Sequence, residues 1–433
     1  MMMQHLEDAP ALAESSIFEQ GVQNALAQRP LDALMSLREA SQVRFQALGL
    51  PKPRREEAWK YVDVQGLSRR AWVNRMPKTK DLNVEWIYPD ACRLLMHNGV
   101  MHNLGTCHRL QPLATAVVEA PERLATLTHE APKQADALCS LNQALAPEPY
   151  SLHVEAGKSM GRPLEWVIHH DKACEAFPAL YIHLEAHASA DVLVRIKGEK
   201  LTEASCYLQG LLHIVQEKGS RLNLTVLSNI PYAGYNFFNT HATLAEEAKL
   251  NLFSTALDAE HFRHRLDVTL SGEGADASLN GLSILAGRTK THMHIRLTHA
   301  VPNCTSSQVF KAAVGGSATH EFDGTIFVLK DAQQTNAQQL SKNLLLSKKA
   351  KAVARPWLQI DADDVKCSHG TTVGQLDEAQ LFYLKSRGIS EERAKALLTQ
   401  GFCDSMLSDT YLDVHVKRYF MKRVHCALVA ATV

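Results

Sequence analysis

Four stretches decide the fold: ADVLVRI (Ala190–Ile196), SRLNLTVL (Ser220–Leu227), AKLNLFSTAL (Ala248–Leu257) and ADASLNGLSIL (Ala275–Leu285). Each opens with a small residue and a polar one, then alternates apolar and polar positions, the period-two pattern of a strand with one buried face. Their starts recur roughly every 27 to 30 residues, and self-similarity at a period of about 20 to 50 residues marks stacked structural units. No helical pattern lies between them. Several strands of about 5 to 7 residues per repeat therefore predict a β-solenoid in preference to leucine-rich or helical repeats. A large β-sandwich is the competing fold, because regularly spaced turns suit it too.

The same texture runs from about Leu82 to Leu346, for example in LEWVIHH (Leu164–His170), HRLDVTLSGEG (His264–Gly274) and EFDGTIFVLKD (Glu321–Asp331). In a stacked β-helix each rung satisfies its neighbour's backbone, so only the ends need covering. The chain carries helical regions that are expected to cap them. Between about Ala11 and Leu48, apolar residues fall at helical intervals, with Pro30 dividing at least two helices. The following LPKPRREEAWKYVDV (Leu50–Val64) reads as a linker into a packed anchor at Trp59 and Tyr61, with a solvated hinge as the plainer and favoured reading. After Asp377 the helical period returns. Leu376, Ala379, Leu381, Phe382 and Leu384 form one face ended by Arg387 and Gly388, Ser390 caps a second helix, and a third runs from about Asp409 to Ala430. These three are expected to make a small helical bundle. The predicted organisation is a mainly β chain: an N-terminal helical region with linker over 1–81, a β-helix core over 82–365 and a C-terminal helical domain over 366–433.

The chain has 433 residues, 45% hydrophobic and 21% charged, and Lys plus Arg equals Asp plus Glu at 46 each. That balance predicts no nucleic-acid partner. No run is apolar enough for a membrane helix, and the acidic start MMMQHLEDAPALAESS does not resemble a signal peptide. A cytoplasmic location is expected. The nine cysteines are scattered without a CxxC, so neither a disulfide framework nor a self-contained zinc site is predicted.

Three clusters could carry chemistry. Asp361, Asp363, Asp364, Cys367 and His369 follow PWLQI, the expected final strand. Thiolate, imidazole and carboxylate are ligands for Fe and Zn, yet two strong donors cannot complete a site. In an extended segment Cys367 and His369 point to the same side. Spacing alone favours a plainer reading, with Cys367 as a small buried residue and His369 in a turn set by Gly370 and Gly374. The second cluster is His292, His294, His299 and Cys304 in THMHIRLTHAVPNC. It reads as a histidine ladder, because no carboxylate sits at the matching spacing. The third, GEGADASLNG (Gly272–Gly281), lacks the ending and context of a phosphate loop and reads as a β-turn.

The continuous run LQIDADDVKCSHGTTVGQLDEAQLFYLKSRGIS (Leu358–Ser390) resembles the signature of the SufB/SufD family of iron-sulfur cluster assembly proteins, and its KCSHG resembles the SufD branch. REEAWKYVDV (Arg55–Val64), the stretch Thr291–Val328 and DAQQTNAQQLSKNLLLS (Asp331–Ser347) are similar to other parts of that family. The resemblance implies a right-handed parallel β-helix flanked by helical regions. It also implies a non-catalytic scaffold that pairs with SufB through the β-helix, binds the SufC ATPase through C-terminal helices, and in a SufBC2D complex builds and transfers a transient Fe-S cluster. On that resemblance Cys367 and His369 stand at the SufB interface, with His369 as an iron or cluster ligand. Leu381, Phe382, Tyr383, Leu384, Arg387 and Gly388 supply the partner surface. Homodimer formation by the isolated chain stays open. The alternatives are a SufB-type scaffold, against which KCSHG argues, and a metal-dependent or polysaccharide-acting β-helix enzyme. Such an enzyme needs paired carboxylates on an exposed solenoid face.

Overall fold

Alternation at one residue in two becomes, in this computed structural model, two long sheets wound into a parallel β-helix. The structure describes residues 16–53, 56–72, 83–105, 107–122, 125, 136–200, 206–230, 233–257, 259–408 and 411–432. Ala11 to Ser15, at the start of the expected first helix, and the expected boundary at 81/82 lie outside them, as does the side chain of Cys426. The strands are β1 (Cys92–His97), β2 (Val100–Asn103), β3 (Leu110–Pro112), β4 (Tyr150–Val154), β5 (Leu164–His170), β6 (Glu175–Ala176), β7 (Ala179–Leu184), β8 (Ser189–Gly198), β9 (Cys206–Gln216) and β10 (Arg221–Asn229). They continue with β11 (Gly234–Leu244), β12 (Lys249–Leu257), β13 (His261–Leu270), β14 (Asp276–Leu285), β15 (Lys290–His299), β16 (Thr305–Val314), β17 (Thr319–Val328), β18 (Thr335–Leu345), β19 (Lys351–Ile360) and β20 (Val365–Gly374). The first sheet runs β2-β1-β5-β8-β10-β12-β14-β16-β18-β20 and the second β19-β17-β15-β13-β11-β9-β7-β4-β3. Each regular turn thus contributes one long strand to each sheet, where short strands of about 5 to 7 residues were expected.

The repeat has a structural cause. Ala188, Ser220, Ala248, Ala275, Cys304, Thr335 and Val365 occupy one column at the start of successive turns. Just before that column, His187, Gly219, Glu247, Gly274, Asn303 and Gln334 all have φ between 55° and 72°. Gly219, Gly274 and Asn303 tolerate this left-handed corner, whereas His187, Glu247 and Gln334 are held in it by hydrogen bonds to the next turn, and a small residue after most of these corners fits the tight inner bend. Stacked corners share backbone hydrogen bonds, as from Gly219 N–H to Glu246 C=O and from Gln334 N–H to Asp364 C=O. The register corrects one detail of the sequence alignment. Arg221 pairs with Ser189, so the first repeat begins at Ala188 and not Ala190. Ala188-Ser189 and Ala190-Asp191 both fit the small-then-polar pattern, and a shift of two leaves every side chain on its own face.

Helices α1 (Ile17–Ala27), α2 (Met35–Leu48), α3 (Val64–Ser68), α4 (Leu113–Glu119) and α5 (Ala137–Leu145) cover the outer face of the second sheet. Phe18, Phe45, Leu138 and Leu141 pack there with Tyr181, Tyr207 and Phe237. Ser16 and Glu19 close a reciprocal capping box at the start of α1. The segment around Trp59 is a packed anchor and not a solvated hinge. Its indole is buried edge-on to Phe237, with the Arg263 guanidinium 4.0 Å from the ring centre.

At the other end, α6 (Glu378–Ser386), α7 (Glu391–Ser408) and α8 (Val414–Thr432) follow β20. Cys403, Met406, Val416 and Phe420 of α7 and α8 pack on Leu193, Leu227, Phe253 and Leu282 of the first sheet's outer face. The apolar stripes of α7 and α8 thus serve the flank of the solenoid, and not a separate bundle or an end cap. Among the described residues, no helix is long and apolar enough to cross a membrane.

Candidate functional site

The two outermost strands at the C-terminal end are β19 and β20, each the last member of its sheet. Their free edges expose a row of backbone donors and acceptors, a template for pairing with another chain. PWLQI belongs to β19, so it is the penultimate strand, and β20 runs on past residue 365 to Gly374. Cys367 and His369 therefore sit within a strand and not in a turn. Ala337 is opposite Cys367, and Gln339 is opposite His369. Stacking on the β18 backbone keeps Gly370 and Gly374 extended where the local sequence suggests a bend.

Both donors share the face of β20 that points toward the solenoid interior. Cys367 is half-buried and packs on the end of the main core, whereas His369 is exposed. Burial pushes the Cys367 thiol up, with a backbone hydrogen bond from Ala337 working the other way. One rung below His369, the Gln339 side chain is buried, donates to Gln308 Oε1 at 2.9 Å and keeps an unpaired carbonyl among the described residues. Asp361, Asp363 and Asp364 line the exposed corner between β19 and β20. Asp364 is occupied there by Gln334 Nε2 at 2.5 Å. Among the described residues no third His, Cys, Asp or Glu gathers with Cys367 and His369 into a metal-binding group.

The residues expected at a partner surface divide. Phe382 and Tyr383 are 73% and 56% exposed, while Leu381 and Leu384 are half-buried, and α6 contains no buried residue. The Arg387 guanidinium lies 5.3 Å from the Tyr383 ring centre, and Gly388 ends the helix at φ 83°. Trp357 of β19 is 65% exposed. Large apolar side chains thus stand uncovered next to the open edge.

The second histidine cluster separates. His292 and His294 lie on the outer face of β15, His299 faces inward to Ser306 Oγ at 2.9 Å, and the Cys304 thiol donates to Gly272 C=O at an inner corner. The missing carboxylates come from the next turn. Glu321 and Asp323 of β17 register with His292 and His294, at 2.5 Å and 3.2 Å from their Nδ1 atoms. Arg355 of β19 bonds both carboxylates and also Glu57, and its guanidinium lies 5.2 Å from the Tyr61 ring centre. A guanidinium already holding the acids makes this a charge network that ties the REEAWKYVDV segment to the last turn. The signal that would have found it is the pair of i, i+2 patterns, His-x-His and Glu-x-Asp, one repeat apart. Gly272–Gly274 forms the expected turn before β14.

The family model for the SufBD core domain of SUF-system FeS cluster assembly matches residues 167–402, more than half the chain. The chain belongs to the SufBD family. It is 27% identical over 389 residues to the iron-sulfur cluster assembly protein SufD of Escherichia coli, covering 87% of this chain and 89% of that one. A SufBD-family protein of Synechocystis is 38% identical over 193 residues, 44% of this chain and 42% of its own length. The chloroplastic protein ABCI7 of Arabidopsis thaliana is 30% identical over 226 residues, 52% of this chain and 47% of its own length. The chain thus spans less than half of the latter two proteins, but most of the SufD sequence.

Proposed function

We propose that this SufBD protein is the SufD-type subunit of a cytoplasmic SUF complex. It is a non-catalytic scaffold that pairs with SufB along β19 and β20 and presents Cys367 and His369 to a nascent Fe-S cluster. SufB supplies the thiolate and carboxylate that the site lacks. The observation that carries this reading is the deficit itself: one thiol and one imidazole on an open edge strand, with no third ligand gathered to them among the described residues. Iron in Fe-S sites takes thiolates and imidazoles, and a neighbouring chain is the available source. The Gln339 carbonyl below His369 can hold an imidazole N–H and so orient the ring. The near full-length alignment with a SufD protein supports the branch.

The exposed α6 face is the proposed dock for the SufC ATPase, with Phe382 and Tyr383 as its anchors. Only residues 375–377 separate α6 from β20, so movement of the dock pulls on the donor strand, and alkylation of Cys367 in the assembled complex should change when ATP is added. Without SufB, the same edges are available to a second copy of this chain. Reconstitution of the chain with SufB and SufC tests the whole reading. Wild type should acquire iron and acid-labile sulfide, and the His369→Ala complex should assemble but stay empty. Equal loading of both complexes removes the ligand role.

A further inference from the structure

Outside the proposed cluster site, a second group of donors stands at the far end of the first sheet, on β1 and β5, distant in sheet order from β20. His97 ends β1, His169 lies opposite it on β5, and Asp171 follows in the next residues of the chain. One ligand atom from each of the three lies within 4.8 Å of the others. His97 Nε2 approaches Asp171 Oδ2 to 3.1 Å, so the imidazole and the carboxylate are already in polar contact. His169 Nδ1 has no hydrogen-bond partner among the described residues, and His97 Nε2 meets only Asp171 Oδ2, although the two histidines are only 4% and 2% exposed. A buried ring nitrogen without a partner is uncommon and points to a group that it can bind.

We propose that His97, His169 and Asp171 form a binding site for a divalent first-row transition cation such as Zn²⁺, separate from the cluster site and with positions left open for water or an incoming ligand. Two imidazoles and one carboxylate are a donor set for such ions. Metal bonds of about 2.1 Å place ligands roughly 3 to 3.5 Å apart, so the group closes by only about an ångström. The carboxylate is already aimed. The Asn98 amide donates to Asp171 Oδ1 at 2.6 Å, and Asn98 Oδ1 accepts from the backbone of Asp171 and Lys172. That leaves Oδ2 facing His97, the kind of outer support that metal ligands require. Asn98 does this from a left-handed turn position, φ 49°. The opposing charge is Lys197, in register with His169 on β8.

The test uses the full chain stripped with chelator and titrated with Zn²⁺, with Co²⁺ as a spectroscopic probe, in a Cys367→Ala/His369→Ala background so that the other donors cannot contribute. One equivalent of Zn²⁺ should bind and raise the melting temperature, and Co²⁺ should give the absorption of a nitrogen and oxygen site. His97→Gln, His169→Gln and the isosteric Asp171→Asn should each abolish the signal. Asn98→Gly, which keeps the backbone conformation, should weaken binding about 10- to 100-fold, and Lys197→Met should tighten it. Melting in chelator checks that each variant folds, and Asp171→Asn, the partly exposed position, decides if a histidine variant does not. Absence of stoichiometric binding, or an unchanged Zn²⁺ affinity and Co²⁺ spectrum in Asp171→Asn, overturns the proposal.

Discussion

The middle turns of the solenoid and its last turn use the same strand geometry with opposite chemistry. In β10 and β12 the inward positions are Leu222, Leu224, Val226, Leu250 and Leu252, all in the main core, and both sheets there carry helices on their outer faces. In β18 and β20 the corresponding positions are Ala337, Gln339, Ser341, Cys367, His369 and Thr371, and the final edge is bare. Stability resides where rungs are closed on all sides. The last rung gives up apolar burial and keeps polar groups at an edge another chain can cover. Departures from local rules of this kind are where function is expected.

The predictions set these two regions against each other. The largest effect concerns histidines buried within the closed turns that precede the last one. His213, His264 and His320 are held near 3 by burial, with His241, Arg263 and His292 respectively adding to the shift. Their folded pKa lies below the unfolded value of about 6.5, so the unfolded chain takes up protons first as pH falls. Stability is fully present above about pH 6.5 and should decline toward pH 3, by about 1.4 kcal/mol per pH unit for each histidine. Denaturant unfolding at pH 7 and pH 5 measures it, and His264→Gln should make the slope shallower by about one proton.

Next in size is Arg195, buried with Glu165 at 2.6 Å. Arg195→Met leaves that buried carboxylate without a counter-charge, held by the backbone N–H groups of Ile87 and Tyr88, and should cost about 3–5 kcal/mol in denaturant unfolding. Leu252→Ala, in a middle rung, should cost about 2–5 kcal/mol by the same measurement. Both would break the comparison if they proved no more harmful than changes in the last turn. The smallest stability effects belong to the open end. Phe382→Ala with Tyr383→Ala should shift unfolding by no more than about 0.5 kcal/mol, yet weaken SufC association by about 2 kcal/mol or more in a calorimetric titration.

Much of the solenoid was legible in the sequence because its cause is local. A left-handed corner, a small residue and an alternating strand recur at each turn, and the interior parity of Leu250, Leu252, Cys367 and His369 follows from counting by two. Information that depends on stacking was hidden. His292 and Glu321 meet because they are in register, not because they are close in sequence, and the extended course of Gly370 is imposed by β18. The helices were readable as helices, but their stripes did not say what they cover. Contacts such as Phe253 with Phe420 and Phe18 with Tyr207 show that they clothe the flanks of the solenoid.

The most direct test of that open end is the acid-labile sulfide retained after desalting by three samples: the chain alone, the chain with SufB and SufC, and the same complex carrying His369→Ala. Sulfide held by the wild-type complex alone is the predicted result, with His369→Ala changing the stability of the isolated chain by no more than about 0.5 kcal/mol. A stable, sulfide-containing cluster on the isolated chain, or full loading of the His369→Ala complex, would contradict it.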